Sequence, residues 1–171
     1  MSVFARLAFA WVDFGARKGL TENVAEDSSG TPQALVKKRA RQTGIRGETY
    51  AYWYLRRHGY ILVARNYMFP GFKGEIDIVG YDGPVLAFVE VKTRVAPAAG
   101  QSSLGYTKPE EAVHWDKQRN LTRMAQQFLR VRRIESSSYR FDILAIENRA
   151  GAPPEVRLHK GAFRPYAWHA E

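Results

Sequence analysis

Cysteine is absent from the 171-residue chain. Its absence excludes disulfides, thiolate zinc sites and cysteine nucleophiles, and it suits a reducing compartment such as the cytoplasm. Histidine is scarce: His58, His114, His159 and His169 are scattered without zinc-ligand spacing. No stretch approaches the roughly 18 apolar residues of a membrane-spanning helix. Residues 3–12 are apolar but carry Arg6 and run into Asp13. They lack the basic start and the cleavage site of a secretory signal. There is no Gly-x-Ser-x-Gly elbow and no glycine-rich phosphate loop. Acidic residues are the minority charge, 17 Asp+Glu against 26 Lys+Arg, for a net charge of +9. An excess of this sign points to a polyanionic partner, nucleic acid first and anionic membrane second. A solvated basic surface without a partner is the plain alternative.

What is present is charge inside apolar strands. Residues 74–79 read Gly-Glu-Ile-Asp-Ile-Val, and residues 85–92 read Val-Leu-Ala-Phe-Val-Glu-Val-Lys. Side chains alternate faces along a strand. The alternation predicts Glu75 with Asp77 on one face, and Ile76 with Ile78 on the other. It likewise predicts Glu90 with Lys92 opposite Val89 and Val91. Pairing the two strands then gathers three carboxylates and one lysine on a single patch. Charged groups in apolar strands are costly unless paired or metal-bound.

The rest of the chain frames this patch. Residues 2–18 have helical spacing of Val3, Phe4, Leu7, Trp11 and Phe14, as in an amphipathic helix that docks a protein partner. Residues 19–34 read as a flexible linker, so residues 1–40 form an extension and the folded domain spans 41–165, with a tail at 166–171. Residues 37–41 are a basic cluster. The pattern predicts a helix over 44–58 capped by Gly59, a strand over 60–64 and a turn over 66–74. Strands over 74–80 and 85–92 follow, joined as a hairpin by Tyr81-Asp82-Gly83-Pro84. A glycine- and serine-rich loop, a long helix over 110–133, a strand over 139–146 and a short strand over 156–159 complete the order. This is an α/β architecture with a mixed sheet flanked by helices.

Hydrolysis of a phosphodiester needs an activated water and relief of negative charge in the transition state. Carboxylates that hold Mg²⁺ supply both, with Mn²⁺ as the alternative ion. A neighbouring lysine can orient the water or stabilise the developing charge. Asp77, Glu90 and Lys92 are those residue types. A salt-bridged pair that protects a strand edge is the structural alternative for Glu90 and Lys92. Glu75 either joins the acids or pairs with Arg65 or Arg94. Lys117 and Gln118 either reach a phosphate or form a solvated helix face. Arg94 extends the third strand toward a DNA backbone. Asp142 and Arg140 read as a structural pair on one strand face.

Asp77 followed by Glu90-Val91-Lys92 resembles the PD-(D/E)xK nuclease signature. The wider set includes Arg46-Gly47-Glu48, Gly59-Tyr60, Arg65-Asn66-Tyr67 and Gly74-Glu75-Ile76-Asp77. It continues with Phe88 to Arg94, Lys117, Arg140-Phe141-Asp142 and Ala162-Phe163. Together these resemble the bacterial YraN family, also called UPF0102, over residues 44–163. The resemblance implies a restriction-endonuclease-like αβββαβ core, similar to Holliday-junction resolvases. It implies that Asp77 and Glu90 bind metal, that Lys92 is catalytic, and that Glu48 is an auxiliary metal-binding acid. Arg46, Arg94, Lys117 and Gln118 are the expected nucleic-acid contacts. The position before Asp77 is Ile76 rather than proline, and nothing in the resemblance explains the first 40 residues.

The expectation is therefore a cytoplasmic, Mg²⁺-dependent endonuclease acting on branched or structured DNA. The resemblance also admits a homodimer, because two symmetric strands need two cuts. A non-catalytic DNA-binding module with the same fold is the alternative. A protein adaptor that works through residues 1–40 is a third.

Overall fold

The computed structural model describes residues 31–96, 113–135, 139–149 and 152–165. Helix α1 (Pro32–Arg57) is followed by strands β1 (Ile61–Tyr67), β2 (Ile76–Asp82) and β3 (Val85–Val95). Helix α2 (Trp115–Arg132), β4 (Tyr139–Asn148) and β5 (Glu155–Phe163) complete the order. The five strands lie in one sheet in sequence order. β1–β2, β2–β3 and β4–β5 are antiparallel, whereas β3–β4 is parallel. A parallel pair requires a crossover, and α2 supplies it. The expected α/β class, the αβββαβ core and the mixed sheet flanked by helices are all observed.

Each helix covers one sheet face. Tyr50, Ala51 and Leu55 of α1 pack with Tyr60, Ile78, Ala87, Val89, Val91, Leu144 and Ile146. Leu121, Met124, Ala125 and Phe128 of α2 pack with Ile76, Val79, Leu86, Phe88 and Phe141. Phe88 meets Phe128 edge to face at 5.7 Å between centroids, an arrangement that aligns ring edge with ring face. The end of α1 is built as the Gly59 cap predicts. Gly59 has φ of 88°, its N–H donates to the Arg56 carbonyl, and the Tyr60 N–H donates to the Leu55 carbonyl. This double bond pattern closes a helix on a left-handed glycine. The hairpin is also as expected, with Asp82 opposite Val85 across a two-residue Gly83-Pro84 loop.

Several boundaries differ from the expected ones: β1 runs on to Tyr67, into the turn expected over 66–74, and β2 spans Ile76–Asp82 rather than 74–80. α1 starts at Pro32 rather than 44, so residues 32–34 are helical and not linker. Thr31 and Pro32 are residue types favoured at a helix N-cap and first turn, and the Ala, Leu, Lys, Arg and Gln that follow are good helix formers. The basic cluster at 37–41 thus belongs to the helix backbone. β3 runs on to Val95 and β5 to Phe163, because parallel pairing with β4 continues through Val95↔Asn148 and β5 follows β4 back to Phe141↔Phe163. The amphipathic helix of residues 2–18 with its docking role, residues 97–109 of the loop, residues 110–112 of the 110–133 helix and the 166–171 tail lie outside the described residues, while Val113 and His114 precede α2 and are not helical. Among the described residues no helix is long and apolar enough to cross a membrane.

Candidate functional site

Asp77 sits where β2 parts from β3. Their pairing runs from Asp82↔Val85 to Ile78↔Val89 and goes no further. One residue on, the Asp77 carboxylate accepts the Val91 N–H at 2.6 Å, standing in for the missing backbone acceptor. The strict alternation expected along this strand breaks here. Ile76 packs in the core under α2 and Ile78 in the core under α1, although both were expected on one face. The bend that lets Asp77 reach a backbone amide rotates its neighbours onto opposite faces. Asn120 of α2 secures the bend by donating to the Lys73 carbonyl just before it.

Glu90 is the second acid, only 3% exposed, beside Asp77 at 8%. Lys92, two residues along the same face of β3, donates to Glu90 Oε1 at 2.7 Å. Lys117, in the first turn of α2, lies 3.1 Å from Glu90 Oε2 as an ion pair. That contact lacks hydrogen-bond geometry, so Oε2 is buried without a hydrogen bond. Both lysines keep part of their surface in solvent, at 28% and 32%. Asp77 titrates abnormally, with its pKa raised from 3.8 to about 7. Burial is the chief cause and the Glu90 charge the second. The Val91 N–H and Lys117 oppose the rise, and Glu48 adds to it.

Glu48 comes to this site from α1. The helix crosses the end of β3 so closely that a Cβ on Gly47 would stand 1.8 Å from Thr93 Oγ1. Glycine is therefore required for the approach. Glu48 accepts from Asn66 Nδ2 at 2.8 Å, and Asn66 reaches it from a left-handed backbone with φ of 48°. Asparagine tolerates that conformation better than most residues. Asn66, Asn120 and the Glu90–Lys117 contact are parts of the site that residue type alone did not single out. The Asn66 signal was its place in Arg65-Asn66-Tyr67.

The other expected residues are arranged less directly. Glu75 is half-buried just before β2, and Arg65 donates to Thr49 rather than to it. Gln118 bonds the Val113 carbonyl through Nε2 and so closes the start of α2. Arg94 is exposed near the end of β3 and Arg46 is half-buried on α1. Asp142 has the structural role expected of it. It accepts from Arg140 Nε at 2.8 Å and from Tyr60 Oη at 3.0 Å.

Among the described residues no group of three or more His, Asp and Glu converges to cage a metal. Glu48 acts on Asp77 through its charge and is not brought into one cluster with Asp77 and Glu90. The pair alone still fits a hard divalent ion, since Mg²⁺ takes one or two protein carboxylates and fills its other positions with water and phosphate. The buried Glu90 oxygen without a hydrogen bond and the disfavoured Asp77 charge are what a bound cation would relieve.

The sequence profile described as "Uncharacterised protein family UPF0102" matches residues 47–146. That span contains Glu48, Asp77, Glu90, Lys92 and Lys117. A UPF0102 protein of Koribacter versatilis is 41% identical over 123 residues, covering 71% of this chain and 79% of its own length. One from Syntrophotalea carbinolica is 40% identical over 122 residues, covering 71% and 91%. One from Symbiobacterium thermophilum is 39% identical over 124 residues, covering 72% and 98%.

Proposed function

The chain belongs to the UPF0102 family, and on that footing we propose that it is a metal-dependent deoxyribonuclease of the PD-(D/E)xK type. Its substrate would be branched or otherwise structured DNA. The observation that carries this reading is the burial of Asp77 against Glu90, with Lys92 on the same acid and one Glu90 oxygen lacking a hydrogen bond. Two repelling carboxylates in an apolar sheet destabilise a fold unless a cation joins them.

Asp77 and Glu90 would hold Mg²⁺, or Mn²⁺ in its place, with Glu48 assisting from α1. A bound ion of this kind polarises phosphate oxygens and acidifies water. Lys92 has three donors and uses one on Glu90. The others are free to orient a water or meet a phosphate oxygen as charge builds. Lys117 reaches the same acid from α2 and would face the phosphate beside it. The net charge of +9 favours a polyanion at this surface. The same reading places the protein in the cytoplasm with its DNA, and a homodimer would make paired cuts in two symmetric strands.

The test is cleavage of end-labelled four-way junction, flap, fork, single-stranded and linear duplex DNA. Wild type and Lys92→Ala are compared with Mg²⁺, Mn²⁺ or EDTA. Metal-dependent cutting by wild type, and its loss in Lys92→Ala, is the expected result. Equal cutting by both proteins would remove the site from the mechanism. Salt-sensitive binding with no cutting under any metal would favour a non-catalytic DNA-binding module.

A further inference from the structure

Several arginines are paired with acids. Arg140 bonds Asp142 and Asp82, Arg149 pairs with Glu147 and Glu155, and Arg157 pairs with the same two glutamates. These charges are answered by carboxylates. Arg56 and Arg65 are held differently, although both are exposed. Arg56 Nη1 donates to Tyr52 Oη at 3.0 Å, and its guanidinium lies 5.6 Å from the centres of both the Tyr52 and Trp53 rings. Arg65 Nη2 donates to Thr49 Oγ1 at 3.0 Å, with its guanidinium 5.7 Å from the same Tyr52 ring. No ion pair between either of them and a carboxylate occurs among the described residues.

Rings and hydroxyls restrain a guanidinium without neutralising it. Each group has five N–H donors, so most remain for an anionic acceptor that presents two oxygens. Phosphate is that acceptor, and arginine meets it with paired hydrogen bonds. Position supplies the rest. Arg65 directly precedes Asn66, which holds Glu48. Tyr52 and Arg56 lie one and two turns beyond Glu48 on α1, so Arg56 is about 12 Å along the helix from Glu48. On one strand of a duplex that distance corresponds to about three to four phosphates.

We infer that Arg56 and Arg65, mounted on Tyr52, form an accessory phosphate subsite for the backbone of the nucleic-acid substrate, about three to four nucleotides from the phosphate nearest Glu48. The inference rests on the nuclease reading for the identity of the occupant. Its test is binding of labelled forked DNA by the full chain in EDTA, so that no cutting intervenes, over a series of salt concentrations. The double variant Arg56→Ala/Arg65→Ala should weaken affinity and reduce the log–log salt slope by about 2, one counterion near 0.9 per lost phosphate contact. Arg149→Ala, which removes an exposed arginine already answered by acids, should keep the wild-type slope. Both Arg56 and Arg65 are exposed, so their truncation opens no core. An unchanged slope in the double variant, or an equal drop in Arg149→Ala, would overturn the subsite. Failure of wild type to bind would overturn it together with the nuclease reading. The cleavage panel separates the two. Binding with the altered slope but no cutting upholds the subsite alone, and cutting with an unchanged slope upholds the nuclease alone.

Discussion

Asp77 is an acid kept where its charge is disfavoured. Its pKa is near 3.8 in a free chain and about 7 in the fold. Between those values the unfolded chain has released a proton that the folded one retains. Stability therefore falls as pH rises from about 4 to about 7, and changes no further above that range through this group. Asp77→Asn keeps an oxygen for the Val91 N–H and removes the charge. It should stabilise the protein by about 1–3 kcal/mol at pH 8 and by little near pH 4. Urea midpoints at the two pH values check this, and equal midpoints for both proteins at pH 8 would refute it. A divalent ion must displace the same proton. Mg²⁺ binding should then release close to one proton at pH 6 and few at pH 8.5, read by calorimetry in buffers of different ionisation heat. Asp77, Glu90 and Lys92 were legible as a site because charge is rare in apolar strands and alternation puts them in reach. Lys117 on Glu90, and Asn66 on Glu48, were not legible as pairings. Each joins segments far apart in the chain whose distance only packing sets.

At the level of elements, the site is an accident of two close approaches made regular. The first is α1 over β3. An added methyl at Gly47 collides with Thr93, a side chain on a sheet strand with little room to move. Gly47→Ala should cost about 1–3 kcal/mol despite the better helix propensity of alanine, and Thr93→Ala in the same chain should recover part of it. Thermal or urea unfolding of the three variants decides this, and a stable Gly47→Ala would show that α1 can shift. The second is the parting of β2 from β3 at Asp77. Period-two reading located both strands and their hairpin but missed the bend, because a break in alternation depends on a backbone donor, the Val91 N–H, presented by the neighbouring strand. The early start of α1 was hidden for another reason. Its early turns put Ala34, Leu35 and Val36 in one run and follow them with mostly charged and polar residues at 37–43, so they lack the apolar periodicity that marks a helix packed on a core.

For the molecule as a whole, two apolar layers hold the sheet between its helices, and one polar network ties their margins. Tyr60 follows α1, Arg140 and Asp142 lie on β4, Asp82 ends β2 and Lys160 belongs to β5. Asp142 is fully buried and accepts from Tyr60, from Arg140 and from the Gly161 N–H. Arg140 and Lys160 also hold Asp82. Burial first, and then the Asp142 charge, raises the Tyr60 pKa above its ordinary value. Tyr60→Phe leaves a buried carboxylate oxygen one donor short, and should cost about 1–3 kcal/mol. Asp142→Asn combined with Tyr60→Phe should cost less than the sum of the two single changes, because the partners share one interaction. Additive losses in a double-mutant cycle would mean that the contact contributes nothing of its own.

The order of elements, their class and the three residues at the heart of the acidic site follow from the sequence by itself. Periodicity, turn chemistry and the cost of charge among apolar residues are local properties of a chain. Tertiary structure alone decided the elevated pKa of Asp77, the second lysine on Glu90, the glycine-dependent seat of Glu48 and the ring-mounted arginines beside it. Those depend on how closely elements approach and how much water they exclude, and the free energy of a charge is set by its surroundings rather than by its place in the chain.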